Sequence, residues 1–157
     1  MNQNKKYIDI LVKNKGAITF LYIGLMLVFY LGFVLLDNNR INKSEHWLKT
    51  NYLTQEDIQR IQGLGTWTSV VEFLFIGLFI LTAITLFYYR KKRSALSYFI
   101  VLHLCLFLAI FGLGYVLSFF LTTPIGNLTQ PLILPTFLLL IIASYAIFVR
   151  LRGQLEN

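Results

Sequence analysis

Long apolar stretches alternate with shorter polar ones along this chain. Residues 17–36 and 132–149 carry no charge, residues 67–89 carry one, Glu72, and residues 95–121 carry none but contain His103. A bilayer core of about 30 Å takes roughly 20 residues of helix, and lipid offers no partner to an open backbone. The pattern therefore predicts four spanning helices. At 1.5 Å per residue the third could reach about 40 Å, which predicts a tilt, an extramembrane start or a bend near Gly112 and Gly114. The fourth is short and contains Pro135, which predicts a late start and a run on toward Leu151. The fold class that follows is all-α: a single polytopic domain built as a four-helix transmembrane bundle.

The polar stretches hold signals of their own. Over residues 5–15, Lys5, Lys6, Asp9 and Lys13 gather on one face of a helix, while Tyr7, Ile8, Ile10, Leu11 and Val12 cover the other. This spacing predicts a short amphipathic N-terminal helix on the membrane surface, or a plain extension of the first span. Residues 37–66 are too many for a passive connector. Thr54-Gln55-Glu56-Asp57 resembles a capping box, with Leu53 and Ile58 at the staple positions and Gly63 suited to a helix C-cap. A short helix over 55–62 is expected, and Ser44 suits the start of another turn bearing Trp47 and Leu48 against the membrane. The loop is then partly helical. It serves either as a compact cap or as a recognition surface, with Trp47, Leu48, Ile58 and Arg60 as the candidate contacts.

Composition agrees with the pattern. Hydrophobic residues make up 57% of the chain and charged residues 13%, against roughly 45–50% and 25% in soluble domains. A globule of this length has too little interior for that apolar share, so a soluble enzyme, a disordered chain and a disulfide scaffold are excluded. The net charge of +7 would suit nucleic acid, but its distribution points elsewhere. Lys5, Lys6, Lys13, Lys15, Arg90, Lys91, Lys92, Arg93, Arg150 and Arg152 account for ten of the fourteen basic residues, and the alternation of spans puts all ten on one side. The positive-inside rule then makes both termini cytoplasmic and residues 37–66 external. These ten residues would face anionic headgroups, and no nucleic-acid partner is expected. Tyr88, Tyr89 and Tyr98 flank the basic turn and Trp67 marks the outer end of span two, as headgroup-level aromatics do. The first span reads as a signal anchor, because it ends in Leu36-Asp37-Asn38 rather than a small-x-small cleavage site.

Candidate chemistry is sparse. The single cysteine, Cys105, excludes an internal disulfide, a CxxC pair and a zinc–thiolate site. No span contains Asp, and no phosphate-cradling Gly-rich loop or HExxH motif occurs. No cofactor or metal is expected, and catalysis ranks last. Glu72 and His103 are the ionisable residues within spans, and each is either polar glue between helices or part of a relay. They lie on the order of 10 Å apart in depth. The expected partners of Glu72 are loop backbone, Arg60, Tyr or Thr groups, and that of His103 is a Ser, Thr or Tyr. Gly24 with Gly32, Gly114 with Ser118 and Thr122, and Ala143 with Ala146 offer small faces for close helix approach. Asn42-Lys43-Ser44 and Asn127-Leu128-Thr129 match the glycosylation pattern, although a composition rich in Asn, Lys and Ile suits a bacterial source, where such matches carry no meaning.

Val-Glu-Phe at the start of span two, Phe87-Tyr88-Tyr89, the basic turn and Tyr98 together resemble a bacterial family of small four-helix membrane proteins known only as a domain of unknown function. The resemblance implies four spans in a bacterial inner membrane and no activity. The small, basic, polytopic build is also similar to that of bacteriocin immunity proteins. The expected function is that of an accessory, regulatory or immunity-type membrane protein. Its expected partners are the lipid bilayer and another membrane protein or a second copy. The alternative is a small oligomeric transporter or channel using Glu72 and His103.

Overall fold

The computed structural model of the protein describes residues 15–50, 54–88 and 93–155. Four helices fill these segments: α1 (Lys15–Thr50), α2 (Gln55–Tyr88), α3 (Arg93–Leu117) and α4 (Ile125–Leu155). All four are long and apolar enough to cross a membrane. The surface is consistent with that. Phe20, Leu21, Phe73, Leu108, Phe120 and Phe137 are exposed, and a surface so apolar suits lipid. The chain is an all-α, multi-pass membrane protein. The amphipathic helix expected over 5–15 and most of the basic turn lie outside the described residues.

The interior is aromatic. Tyr30 and Phe33 of α1, Phe75 and Phe79 of α2, Phe107 and Ile110 of α3, and Leu128 and Leu139 of α4 fill the centre. The closest helix–helix approaches lie within two hairpins, α1 against α2 and α3 against α4, and α2 also approaches α4. Residues 51–54 join α1 to α2 at one end of the bundle, the hairpin end. The opposite end, where the basic turn joins α2 to α3, is the basic end.

α1, α2 and α4 overrun their predicted limits, and side chains explain the overrun of α1. Residues 37–66 are not a loop with one short helix. α1 continues to Thr50 and α2 starts at Gln55, so the two helices run on as a pair. Asp37 and Asn38 would ordinarily compete for backbone groups and end a helix, but both are engaged sideways by other residues. Ser44 is no cap: it sits inside α1 and its hydroxyl donates to the Arg40 carbonyl at 2.9 Å. Gly63 is not a C-cap, since α2 runs through it, and nothing in the structure explains that glycine. At Gly65 an added Cβ would make only ordinary contact with the Arg40 side chain, 3.9 Å away.

The start of α2 follows the capping-box reading. The Asp57 amide donates to the Thr54 hydroxyl oxygen and the Thr54 amide to the Asp57 carboxylate, each at 3.2 Å. The Thr54 hydroxyl in turn donates to that carboxylate. This last bond holds the exposed Asp57 below the usual carboxylate range. A depressed carboxylate stabilises the cap above its unfolded pKa, and that contribution is lost as pH falls through the lower, folded value. The Thr54 and Asp57 amide resonances are therefore expected to titrate together on the acid side of an ordinary Asp. In Thr54→Ala the Asp57 midpoint is expected to rise toward the ordinary value, as an NMR pH titration would show.

α3 ends at Leu117, short of the predicted 121, and tightens through Ser118 N–H to Gly114 carbonyl and Phe120 N–H to Leu117 carbonyl bonds. Ser118 and Thr122 therefore do not extend a helical small-residue face from Gly114. α4 begins at Ile125, seven residues before the predicted start, and contains both Pro131 and Pro135. Each proline frees the carbonyl four residues earlier and is accommodated inside the packed bundle. Of the glycines on α1, Gly32 meets Val71, with 3.5 Å between an added Cβ and the valine methyl, while Gly24 faces open space.

Candidate functional site

His103 is fully buried. It lies on α3 among the rings of Phe99 and Phe107 from the same helix, Phe79 of α2 and Tyr22 of α1. Its Nδ1 lies 2.8 Å from the Phe99 carbonyl and its Nε2 2.6 Å from the Tyr22 hydroxyl. A carbonyl only accepts, so Nδ1 carries the proton and Nε2 accepts from the tyrosine. The neutral imidazole is thereby satisfied at both nitrogens.

Glu72 sits half-buried on α2 toward the hairpin end. The Gln130 side-chain amide of α4 donates to its two oxygens, each at 3.2 Å. The expected contact with Arg60 does not form, because Arg60 pairs with Glu56 one turn earlier at 2.6 Å, with both side chains largely exposed. Glu72 and His103 are not brought together. Fully buried Phe75 occupies the turn of α2 between Glu72 and Phe79, which belongs to the histidine cage.

The densest polar cluster is one that the sequence patterns did not single out. Asp37 is almost fully buried, and its carboxylate accepts from Arg40 at 2.5 Å and from the Asn127 amide at 3.3 Å. Asn38 Oδ1 accepts from the Thr122 amide at 3.2 Å, with the Thr122 and Thr123 hydroxyls at 3.0 and 3.2 Å. Asn42 Oδ1 lies 2.5 Å from the Thr122 hydroxyl. One polar end of α1 thus clasps the turn between α3 and α4. The available signal was depth: 37–42 and 122–127 flank spans on the same predicted side. Asn42 and Asn127 both lie in helices, and the Asn127 amide is engaged with Asp37, so neither presents the loop that the glycosylation pattern implied.

Of the residues expected as outer contacts, Ile58 is 43% exposed, Arg60 is paired, and Trp47 is partly buried and engaged. The Leu48 side chain lies outside the described residues. Among the basic residues expected to face headgroups, Lys15 begins α1 and Arg93 begins α3, while Arg150 and Arg152 are exposed near the end of α4. Lys5, Lys6, Lys13, Arg90, Lys91 and Lys92 lie outside the described residues. Cys105 faces outward from α3. Among the described residues, no three His, Cys, Asp or Glu side chains come together as a metal site would need.

Among the described residues, four membrane-length helices, tied to one another by polar contacts such as Tyr22–His103 and Glu72–Gln130, define a polytopic membrane protein. No family model, curated protein or solved structure matches the chain.

Proposed function

We infer that this protein is a non-catalytic accessory, regulatory or immunity-type component of a membrane, acting by contact with another membrane protein. The observation that carries this reading is the α1–α2 hairpin. Beyond Asn42, where the α3–α4 turn is held, residues 43–50 and 55–64 continue as paired helix for roughly 12–15 Å. This bare extension presents exposed Ile58 with Glu56 and Arg60 beside it. The separation of Glu72 from His103, each with its own side-chain partner, favours contact over a transport path.

The charge distribution supports an orientation with both termini cytoplasmic and the hairpin end external. The family resemblance of residues 70–98 supports a bacterial inner membrane and a small four-helix family without activity.

A photo-crosslinking residue at position 58 tests the reading in native membranes. One discrete protein adduct is expected, and a charge reversal at Arg60→Glu should weaken it several-fold without changing helix content. Uniform labelling by lipid alone, unchanged by that substitution, would count against partner recognition. Loss of function in Glu72→Gln with the adduct intact would move the reading to transport.

A further inference from the structure

We propose that the two hairpins part along the α1–α3 seam at the hairpin end, with the Asp37–Asn42 cluster as the latch and the His103 cage as the pivot. This goes beyond the partner reading and does not rest on it.

The packing is uneven in the way such a device requires. Helices approach most closely within each hairpin, while α1 approaches α3 and α4 at few places. Toward the basic end α3 is locked to α2 by interlocked rings, Phe79 against Phe99, His103 and Phe107, and to α1 by the satisfied Tyr22–His103 bond. At the hairpin end the ties between the hairpins are polar, from Asp37, Asn38 and Asn42 to Thr122, Thr123 and Asn127 and from Gln130 of α4 to Glu72 of α2. Polar ties near a membrane boundary can exchange for water with little loss, whereas a ring stack in the core cannot.

Between these two ties lies Tyr30. It is fully buried, and its hydroxyl is the buried side-chain polar atom without a hydrogen-bond partner among the described residues. That hydroxyl presses against the bare face of Gly114 on α3, beside Leu128 of α4. Tyr22, two turns away on the same face of α1, has its histidine. An enclosed hydroxyl with no partner disfavours the closed arrangement relative to any arrangement that wets it. Opening at the hairpin end wets Tyr30, so its side chain biases the latch toward release.

The test uses the full chain in lipid nanodiscs, in a Cys105→Ala background with Leu128→Cys as the reporter and a membrane-impermeant maleimide as the probe. Weakening the latch with Asn38→Ala or Asn127→Ala is expected to raise the labelling rate. Tyr30→Phe, which removes the orphan oxygen, is expected to slow labelling at least about fivefold and to raise Tm. Labelling that ignores the latch substitutions, or a Tyr30→Phe protein that labels as fast or melts lower, would overturn the proposal. Should the reporter substitution itself prevent folding, hydrogen exchange over residues 26–34 and 110–117 in the Tyr30→Phe chain replaces it. Slower exchange supports the latch, and unchanged or faster exchange overturns it.

Discussion

Gly114→Ala is expected to destabilise the bundle, and Tyr30→Phe is expected to reverse that effect. A Cβ at 114 would overlap the Tyr30 hydroxyl and contact the Leu128 side chain. The overlapping atom is the tip of a side chain, but the ring behind it is rigid and fully enclosed, so relief means turning the whole ring or parting α1 from α3. Overpacking of this kind costs about 1–3 kcal/mol. Against it stands the helix-propensity gain of Ala over Gly, about 1 kcal/mol. The net for Ala is a loss of up to about 2 kcal/mol. Gly114→Val adds volume, loses most of the propensity gain and should be worse. Without the hydroxyl the overlap disappears, so Gly114→Ala in a Tyr30→Phe background should be neutral or stabilising. A double-mutant cycle of unfolding free energies in detergent or bicelles reads the coupling directly. Additive effects would show that the two residues do not meet in the folded bundle.

The four spans were legible because lipid makes a strong demand on sequence. Each span must be a long apolar run, and no tertiary context can substitute for that. Helix ends were far less legible, because end signals are local and tertiary partners cancel them. Asp37-Asn38-Asn39 looks like a stop, yet α1 continues because Arg40, Asn127, Thr122 and Thr123 occupy the Asp37 and Asn38 side chains. Pro131 looks like a barrier, yet α4 begins six residues before it. The Thr54–Asp57 box was legible because its residues satisfy one another without outside help. The clasp was not, since Asn38 meets Thr122 across 84 positions of sequence and nothing in either segment names the other. For the same reason Gln130, as the partner of Glu72, could be found only in the folded chain.

His103→Ala is expected to cost more stability than Gly114→Ala, and more than any of the latch substitutions. The ring is fully buried between α1, α2 and α3 and touches four aromatic neighbours. Truncating a buried aromatic-sized side chain costs about 3–5 kcal/mol through lost contacts and the void left behind. It also leaves the Tyr22 hydroxyl without its acceptor, a further penalty of about 1–3 kcal/mol. Tyr22→Phe alone should cost less, because the ring stays and only the donor to Nε2 is lost. The hydrogen bond itself is a small part of the total: such bonds between membrane helices average about 0.6 kcal/mol and reach about 1.7 kcal/mol. Replacing both partners separates packing from chemistry. Tyr22→Phe with His103→Phe keeps two rings, removes both polar atoms and should recover most of the stability, since apolar replacement of a buried pair can be nearly neutral. Unfolding measurements give the energies, and the adduct formed from position 58 gives the function. If His103 serves only to join helices, the double variant folds and still forms that adduct. If it folds and the adduct is lost, the imidazole has a role that packing does not explain.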